Sequence, residues 1–431
     1  MLRRSLSCLV LSLMLGTAIS GQDLVLTNAQ IVDPAARTTV RGSIWIEQGR
    51  IVGRGPEPPA TARGERIDVK GRWVIPGLTD LHTHSNMNVA PGGLFERPGT
   101  EVTATRILRA GVTALLDLFA PEDDILRLRD RQRSGQVGGA EIFAAGPCFT
   151  ATKGHCTEYP TPTRVIDSPA DARRQLEELA GKRPDVIKVV YDHENYGPST
   201  MPSIDRATLD ALIAAATAHR LKTVVHIGTW EDVRHASLAG ATAVTHVPRD
   251  EIVPSDVIEL MVARRTQHIP ALVQLADLTE FADNPTLLDS PLLAALSSDS
   301  ARAAYRRPLP NRTPERIAQQ RARIAGFIES VRRLHAAGVP MLAGTDAGNV
   351  GVVQGYSVHR ELIRLVQAGL SPWEALAAST TRAGEFLGRS FGVQAGDVAN
   401  LVALDASPID DIGNTQRIVM VVVRGQVAYR Q

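Results

Sequence analysis

This 431-residue sequence has no excess of either charge: Lys and Arg together number 47, Asp and Glu 46. No net field draws such a chain to nucleic acid or to an anionic membrane. Cysteine is scarce, with Cys8, Cys148 and Cys156 the only three, which excludes a disulfide-dense scaffold. No G-x-G-x-x-G or G-x-x-x-x-G-K-[ST] run follows a strand-like segment, so nucleotide-binding folds find no support. Beyond the first twenty residues no apolar stretch is long enough to span a bilayer, and the chain carries neither an internal repeat nor a low-complexity tract. What is there is ordinary globular composition, 44% hydrophobic and 22% charged, over a length that suits two or three units or one large barrel with an attachment.

Residues 1–20 read as a cleaved secretion signal. Arg3 and Arg4 form a basic start, Leu9 to Leu15 an apolar centre, and Ala18-Ile19-Ser20 a small-x-small site before Gly21. The predicted location is periplasmic or secreted. A retained anchor is the alternative, but the run is shorter than the roughly 18–20 residues that cross a bilayer. In an exported chain Cys148 and Cys156, close together in a loop-like run, are expected to pair as a disulfide, with two free thiols as the alternative. Their spacing is not a usual zinc knuckle.

From Asp23 to Val74 the sequence reads as short alternating strands: Leu24-Val25-Leu26, Ser43 to Ile46, Ile51-Val52 and Arg66 to Val69, separated by turn residues. Similar material returns at Asp397 to Ala406 and Arg417 to Tyr429, with an Arg424-Gly425 turn. The two ends predict a small β-sandwich domain built from residues 21–75 and 389–431, with residues 76–388 inserted. In that insert strand-like runs alternate with helical ones. Strands are predicted at Trp73 to Leu81, Val112 to Leu118, Glu141 to Ala145, Val186 to Tyr191, Thr223 to Ile227, Ala243 to Val247, His268 to Val273 and Pro340 to Ala343. Helices are predicted at Leu126 to Ser134, Pro169 to Leu179, Asp205 to Arg220, Trp230 to Ala239, Pro254 to Arg265 and Arg316 to Ala337. Eight such units make a (β/α)8 TIM barrel, an α/β fold whose chemistry sits at the carboxyl ends of its strands; an open doubly wound sheet is the rival.

The polar residues that could carry chemistry stand at those strand ends. His82-Thr83-His84 closes the first strand, and a spacing of two aims both imidazoles at one face. Lys188 lies inside Val186-Ile187-Lys188-Val189-Val190, where an unpaired ammonium is costly to bury. His226 closes the fifth strand, His246 the sixth, and Asp346 follows Leu342-Ala343-Gly344-Thr345 at the end of the eighth. Singly, each reads equally as a satisfied histidine, a snorkelling lysine or a helix-capping aspartate. Jointly they gather donors at five strand ends, which chance does not readily supply. Imidazole nitrogens and carboxylate oxygens suit Zn2+, and three or four of them with an open position make a hydrolytic site.

Leu78-Thr79-Asp80-Leu81-His82-Thr83-His84, the strand lysine, the two later histidines and Gly344-Thr345-Asp346-Ala347-Gly348 resemble the metal-dependent amidohydrolase superfamily. Val74-Ile75-Pro76-Gly77, Gly146-Pro147 followed by Gly154-His155, and the run Ala375 to Ala383 are similar to its imidazolonepropionase-like and prolidase-like (Xaa-Pro dipeptidase type) branch. The resemblance spans most of the mature chain. It implies two divalent ions, with zinc the first choice: His82, His84 and Asp346 would hold one, His226 and His246 the other. Lys188 would bridge them as a carbamate formed with carbon dioxide, which turns a misplaced cation into an anionic oxygen ligand. The ions would lower the pKa of a shared water and polarise the substrate carbonyl, while Asp346 takes the water's proton and passes it to the leaving amine.

The implied substrate is a small amide, first a dipeptide or an N-acyl amino acid. Three departures from the branch put peptide-end specificity in question: Lys188 is followed by Val189-Val190-Tyr191-Asp192-His193-Glu194-Asn195-Tyr196-Gly197 rather than a Thr-Gly-Gly run, Gly228 stands where Tyr or His is common, and Leu116 rather than Arg precedes Asp117. His155, Tyr191 and Tyr196 are the candidate substrate contacts, with loop packing as the alternative. A cyclic-amide or lactone hydrolase with the same ions stays open, as does a non-catalytic metal- or ligand-binding barrel. The expected partner is the small-molecule substrate, with no nucleic acid and no membrane after signal cleavage; a homo-oligomer stays open. Glu280 to Arg316 is long for a connection and reads as a lid or a surface excursion, and Arg127, Arg129, Arg131 and Arg133 as a solvated helix face.

Overall fold

The structure, a computed structural model, describes residues 22–194, 200–249, 252–308 and 313–431. The expected signal lies outside them. Both chain ends enter one eight-stranded mixed sheet. Leu24–Asp33 pairs antiparallel with Thr38–Glu47 and parallel with Glu65–Asp68 and Trp73–Pro76. Trp73–Pro76 continues antiparallel into Leu401–Leu404, which leads to Ile418–Val423 and Gln426–Arg430. Alternation gives the reason: Leu24, Leu26, Ile31, Ile44 and Ile46 from the front and Leu401, Met420 and Val422 from the back turn the same way and bury a core of their own. The last hairpin turns at Arg424-Gly425, both in the left-handed region with φ 48° and 77°.

Between these ends run parallel strands. Leu78–Thr83, Val112–Asp117 and Glu141–Ala144 form one set; Val186–Tyr191, Lys222–Ile227, Ala243–Thr245 and Gln267–Ile269 form another. Most of their residues are buried, as near-continuous apolar strands covered by helices must be. Lone hydrogen bonds extend the series: Asp185 N donates to Ala144 O at 2.9 Å, Leu342 N to His268 O at 2.9 Å and Leu81 N to Ala343 O at 3.0 Å. Helices Glu122–Arg133, Pro169–Gly181, Arg206–Ala218, Trp230–Ala239, Ser255–Arg264 and Pro314–Ala336 intervene. Their starts are written locally: the Ser168 and Asp205 side chains accept from N3 amides, and Thr229 with Asp232 completes a capping box. The result is an α/β fold with mixed sheets. Among the described residues no helix is long and apolar enough to cross a membrane.

Several expectations need correction. The run Trp73 to Leu81 is not one strand. It divides at Gly77, where a Cβ would press on the Thr113 side chain, its Cγ2 at 2.5 Å, and each half joins a different sheet. His268 to Val273 is strand only to Ile269; Ala271 takes a left-handed φ of 49°, and Leu272–Asp283 is helix. Pro340 to Ala343 forms a single bridge, Met341 to His268, rather than a paired strand. Within Glu280 to Arg316 the described residues form short helical segments, with Leu288, Leu293, Leu296 and Tyr305 buried against the main core. Arg129 is not solvated: it is fully buried, donating to Arg183 O at 2.7 Å and Asp185 Oδ2 at 3.2 Å. Cys148 and Cys156 are both free and buried. Cys156 sits in a left-handed backbone with φ 84°.

Candidate metal centre

The strands and the segments that follow them deliver His82, His84, Lys188, His226, His246 and Asp346 to the wall of a single cavity of about 130 Å³. Asp346 Oδ1 lies 3.2 Å from His82 Nε2 and 2.8 Å from His84 Nε2. Lys188 Nζ stands 3.3 Å from His82 Nε2. The His246 ring is 5.2 Å from His82 and 4.5 Å from His226. One atom each from His82, His246 and Asp346 falls within 4.8 Å of the others. The geometry is held from behind. His82 Nδ1 meets the Thr245 hydroxyl at 2.8 Å, and a proton there leaves Nε2 as a lone pair facing the cavity. Gln354 Nε2 donates to His84 O at 3.0 Å, and His268 Nε2 meets His246 O at 2.7 Å.

Backbone conformation contributes as well. His246 and Asp346 take positive φ, 80° and 62°, a conformation that L side chains adopt at a cost and that recurs at functional sites. Neighbouring chain holds both in place: His246 N donates to Ile269 O at 3.0 Å and Asp346 N to His82 O at 2.7 Å. Gly344 lets the first strand come close, since a Cβ there would stand 2.9 Å from the backbone N of His82.

The electrostatics favour neutral bases around one carboxylate. Burial, reinforced by the Lys188 charge, holds His82 well below the ordinary imidazole range; burial and the neighbouring His226 do the same for His246. Burial also lowers Lys188. Asp346 Oδ1 is buried and accepts no hydrogen bond, an arrangement that costs free energy unless something else engages it. Neutral imidazole nitrogens around an unsatisfied carboxylate oxygen are a donor set that fits a divalent cation.

Of the candidate substrate contacts, His155 lines the cavity, with its ring 4.9 Å from that of His226. Burial works against its charge, but the Glu158 carboxylate, 2.6 Å from Nδ1, outweighs that and holds its pKa up at about 9. Tyr191 is not among the lining residues. Its hydroxyl meets His235 Nδ1 at 2.8 Å in the helix behind the strand, so strand alternation turns it away from Lys188's neighbours in the cavity. Tyr196 lies outside the described residues. Sequence reasoning passed over Asp192, whose Oδ2 is 3.1 Å from His226 Nε2, and the lining residues Glu194 and Arg249. A signal was present: Glu194 and Arg249 follow the Lys188 and His246 strands by a few positions, where barrel-type folds place functional loops.

Buried imidazoles, the Asp346 and Glu194 carboxylates and one amine around a small cavity fit a class, the metal-assisted hydrolases. The chain belongs to the amidohydrolase family, which it matches over residues 73–428, and it is accordingly a hydrolase acting on carbon–nitrogen bonds, in a family that generally uses a divalent metal. An uncharacterized protein of Mycobacterium tuberculosis is 25% identical over 402 residues, covering 91% of this chain and 96% of its own. Among solved structures, a Xaa-Pro dipeptidase with bound methionine in the active site has a TM-score of 0.76 at 20% identity, covering 95% of this chain and 100% of its own. A putative prolidase from Bifidobacterium longum has a TM-score of 0.74 at 25% identity, with 95% of each chain covered.

Proposed function

We propose that the chain is an exported binuclear amidohydrolase that cleaves the amide bond of a small substrate, a dipeptide or an N-acyl amino acid. The observation that carries this reading is the convergence of six donors on one cavity around the unsatisfied Asp346 oxygen. The hydrogen bonds that Leu342 donates to the last of the parallel strands and that Ala343 accepts from the first support closure into a (β/α)8 barrel between the two parts of the terminal β domain. His82, His84 and Asp346 would hold one ion, His226 and His246 the other, and the pair, zinc first among candidates, would supply Lewis acidity to the scissile carbonyl and to the attacking water.

The chain's own groups do the rest. Burial lowers the Lys188 pKa and so raises the fraction of neutral amine, the form that attacks carbon dioxide; the N–C bond forms, one proton leaves, and an anionic carbamate replaces the buried cation. Asp346 Oδ1, 2.8 Å from His84 Nε2, takes a proton from the attacking water and returns it to the leaving nitrogen. His155, kept charged by Glu158, faces the substrate across from His226. The cavity volume limits the substrate to a small molecule. The prolidase and dipeptidase likenesses favour a peptide-like amide.

The test is a release assay on metal-loaded protein with dipeptides, N-acyl amino acids, cyclic amides and lactones. Hydrolysis of a linear amide, lost on chelation and regained with a divalent ion, is the expected result. Turnover of lactones or cyclic amides alone favours the second reading, and turnover of none leaves a binding protein. For export, the expected mature amino terminus is Gly21.

A further inference from the structure

The histidines of the proposed centre are not all steadied in the same way. His82 has the Thr245 hydroxyl at Nδ1. His84, whose Nε2 faces Asp346 Oδ1 at 2.8 Å, has a buried Nδ1 with no hydrogen-bond partner among the described residues. A metal-binding imidazole is ordinarily aimed by a hydrogen bond at its other ring nitrogen. For His84 the support has to come from its backbone and from whatever packs on its ring.

Both lead to Asp117, the last residue of the strand Val112–Asp117. Asp117 Oδ2 accepts from Ser85 N, the amide that follows His84, at 2.7 Å, and also from the Ser85 hydroxyl. Gln354 Nε2 donates to His84 O at 3.0 Å, so the peptide between His84 and Ser85 is pinned at its oxygen and at its nitrogen. Asp117 Oδ1 accepts from Phe119 N at 2.9 Å, and the Phe119 ring meets the His84 ring edge to face, with centroids 6.2 Å apart and an angle of 87°. Ser85 Oγ and Thr100 Oγ1 are 2.9 Å apart. Since the one hydroxyl proton of Ser85 goes to Asp117, Thr100 is the donor of that pair, and the chain runs from Thr100 to Ser85 to Asp117. All four residues of this network are buried, where hydrogen bonds to a carboxylate are short and fix geometry.

We infer that Asp117 is a positioning residue for the metal centre: through the Ser85 amide and through Phe119 it sets the backbone and the ring of His84, in place of the hydrogen bond that His84 Nδ1 lacks. This rests on the metal reading above and goes beyond it, because Asp117 does not line the cavity and acts only through its neighbours. Phe119 does line the cavity. One carboxylate therefore holds a metal ligand and a piece of the substrate wall in fixed relation.

The experiment measures the affinity for Zn2+ and Co2+ by competition with a chromophoric chelator, with denaturant melts alongside, on wild type, Asp117→Asn, Thr100→Val and Ser379→Ala. Asparagine keeps the shape of Asp117 and presents an amide donor to groups that are themselves donors. Ser379→Ala is the control: Ser379 is fully buried and its hydroxyl donates to Thr79 O at 2.8 Å and accepts from Thr79 N at 3.2 Å, in the strand that carries His84 but away from that residue. Asp117→Asn is expected to weaken metal binding by about ten- to a hundredfold, the usual effect of losing a group behind a ligand, and to shift the visible bands of bound Co2+, which report coordination geometry. Thr100→Val does the same by a smaller factor. Ser379→Ala loses stability but keeps the affinity and the spectrum. Should Asp117→Asn not fold, Thr100→Val against Ser379→Ala makes the same comparison. Wild-type affinity and spectrum in the folded Asp117→Asn, or an equal loss of affinity in Ser379→Ala, overturn the inference and leave the metal reading standing. Wild type that binds neither ion overturns both.

Discussion

A buried ionisable side chain is an expense unless a partner or a proton removes its charge. His82, His246 and Lys188 meet that demand at the cavity, where burial favours their neutral forms. Glu361 meets it elsewhere. It is fully buried, Val273 N donates to its Oε2 at 2.8 Å, and its Oε1 has no partner. Burial pushes its pKa from 4.5 up to about 8. As pH rises through this window the unfolded chain gives up the proton while the folded chain keeps it, so the unfolded state gains and stability falls. Glu361→Gln keeps an acceptor for Val273 and removes the titration. Thermal melts should show the variant gaining on wild type steadily from about pH 5 to about pH 8; parallel melting curves across that range would contradict the assignment. Arg129 illustrates what a sequence hides at this scale. An arginine on a charged helix reads as solvated, and only the fold brings Asp185 and Arg183 O to it.

Elements place the donors, and the joints between elements matter most. Asp80 in Leu78–Thr83 accepts from Thr345 N at 3.0 Å and Thr345 Oγ1 at 2.5 Å, and from His82 N at 3.1 Å. One carboxylate thus fixes the strand carrying His82 and His84 to the segment carrying Asp346. Thr345→Val keeps the shape and removes the hydroxyl from a buried acceptor. We expect a stability loss of about 1–3 kcal/mol in denaturant titrations, together with lower metal occupancy by elemental analysis; a variant as stable and as metal-rich as wild type would show that the joint is dispensable. The parallel strands were legible in the sequence because a strand buried on both faces must be nearly all apolar, so His82, His226 and Asp346 stand out as its terminators. The divisions at Gly77 and Ala271 were not. They depend on how closely Thr113 approaches and on a left-handed turn, neither of which periodicity encodes. Asp192, Glu194 and Arg249 lie in loops, where no repeating pattern marks them.

The whole molecule ties its two ends together before it encloses a site. Ile418 and Val421 pack in the main core, while Met420 and Val422, on the opposite face of the same strand, pack in the terminal core. Deleting residues 417–431 removes the edge of the eight-stranded sheet and exposes both cores, and should give aggregated or non-cooperatively unfolding protein; a deletion that melts like wild type would contradict this. The recurrence of β-rich material at both ends made that union legible, whereas the single sheet that joins them, ordered through Trp73–Pro76 and Leu401–Leu404, was not. In the proposed centre six groups from five strands and the segments that follow them hold a metal pair through a modified lysine. The most direct measurement is metal content and anomalous diffraction on wild type and Lys188→Ala, with and without bicarbonate. Two ions per wild-type chain beside a carbon dioxide adduct on Lys188 are expected, with loss of both metal and activity in Lys188→Ala that bicarbonate does not restore. An unmodified Lys188 in an active enzyme, or ions bound away from His82, His226, His246 and Asp346, would contradict the proposed centre.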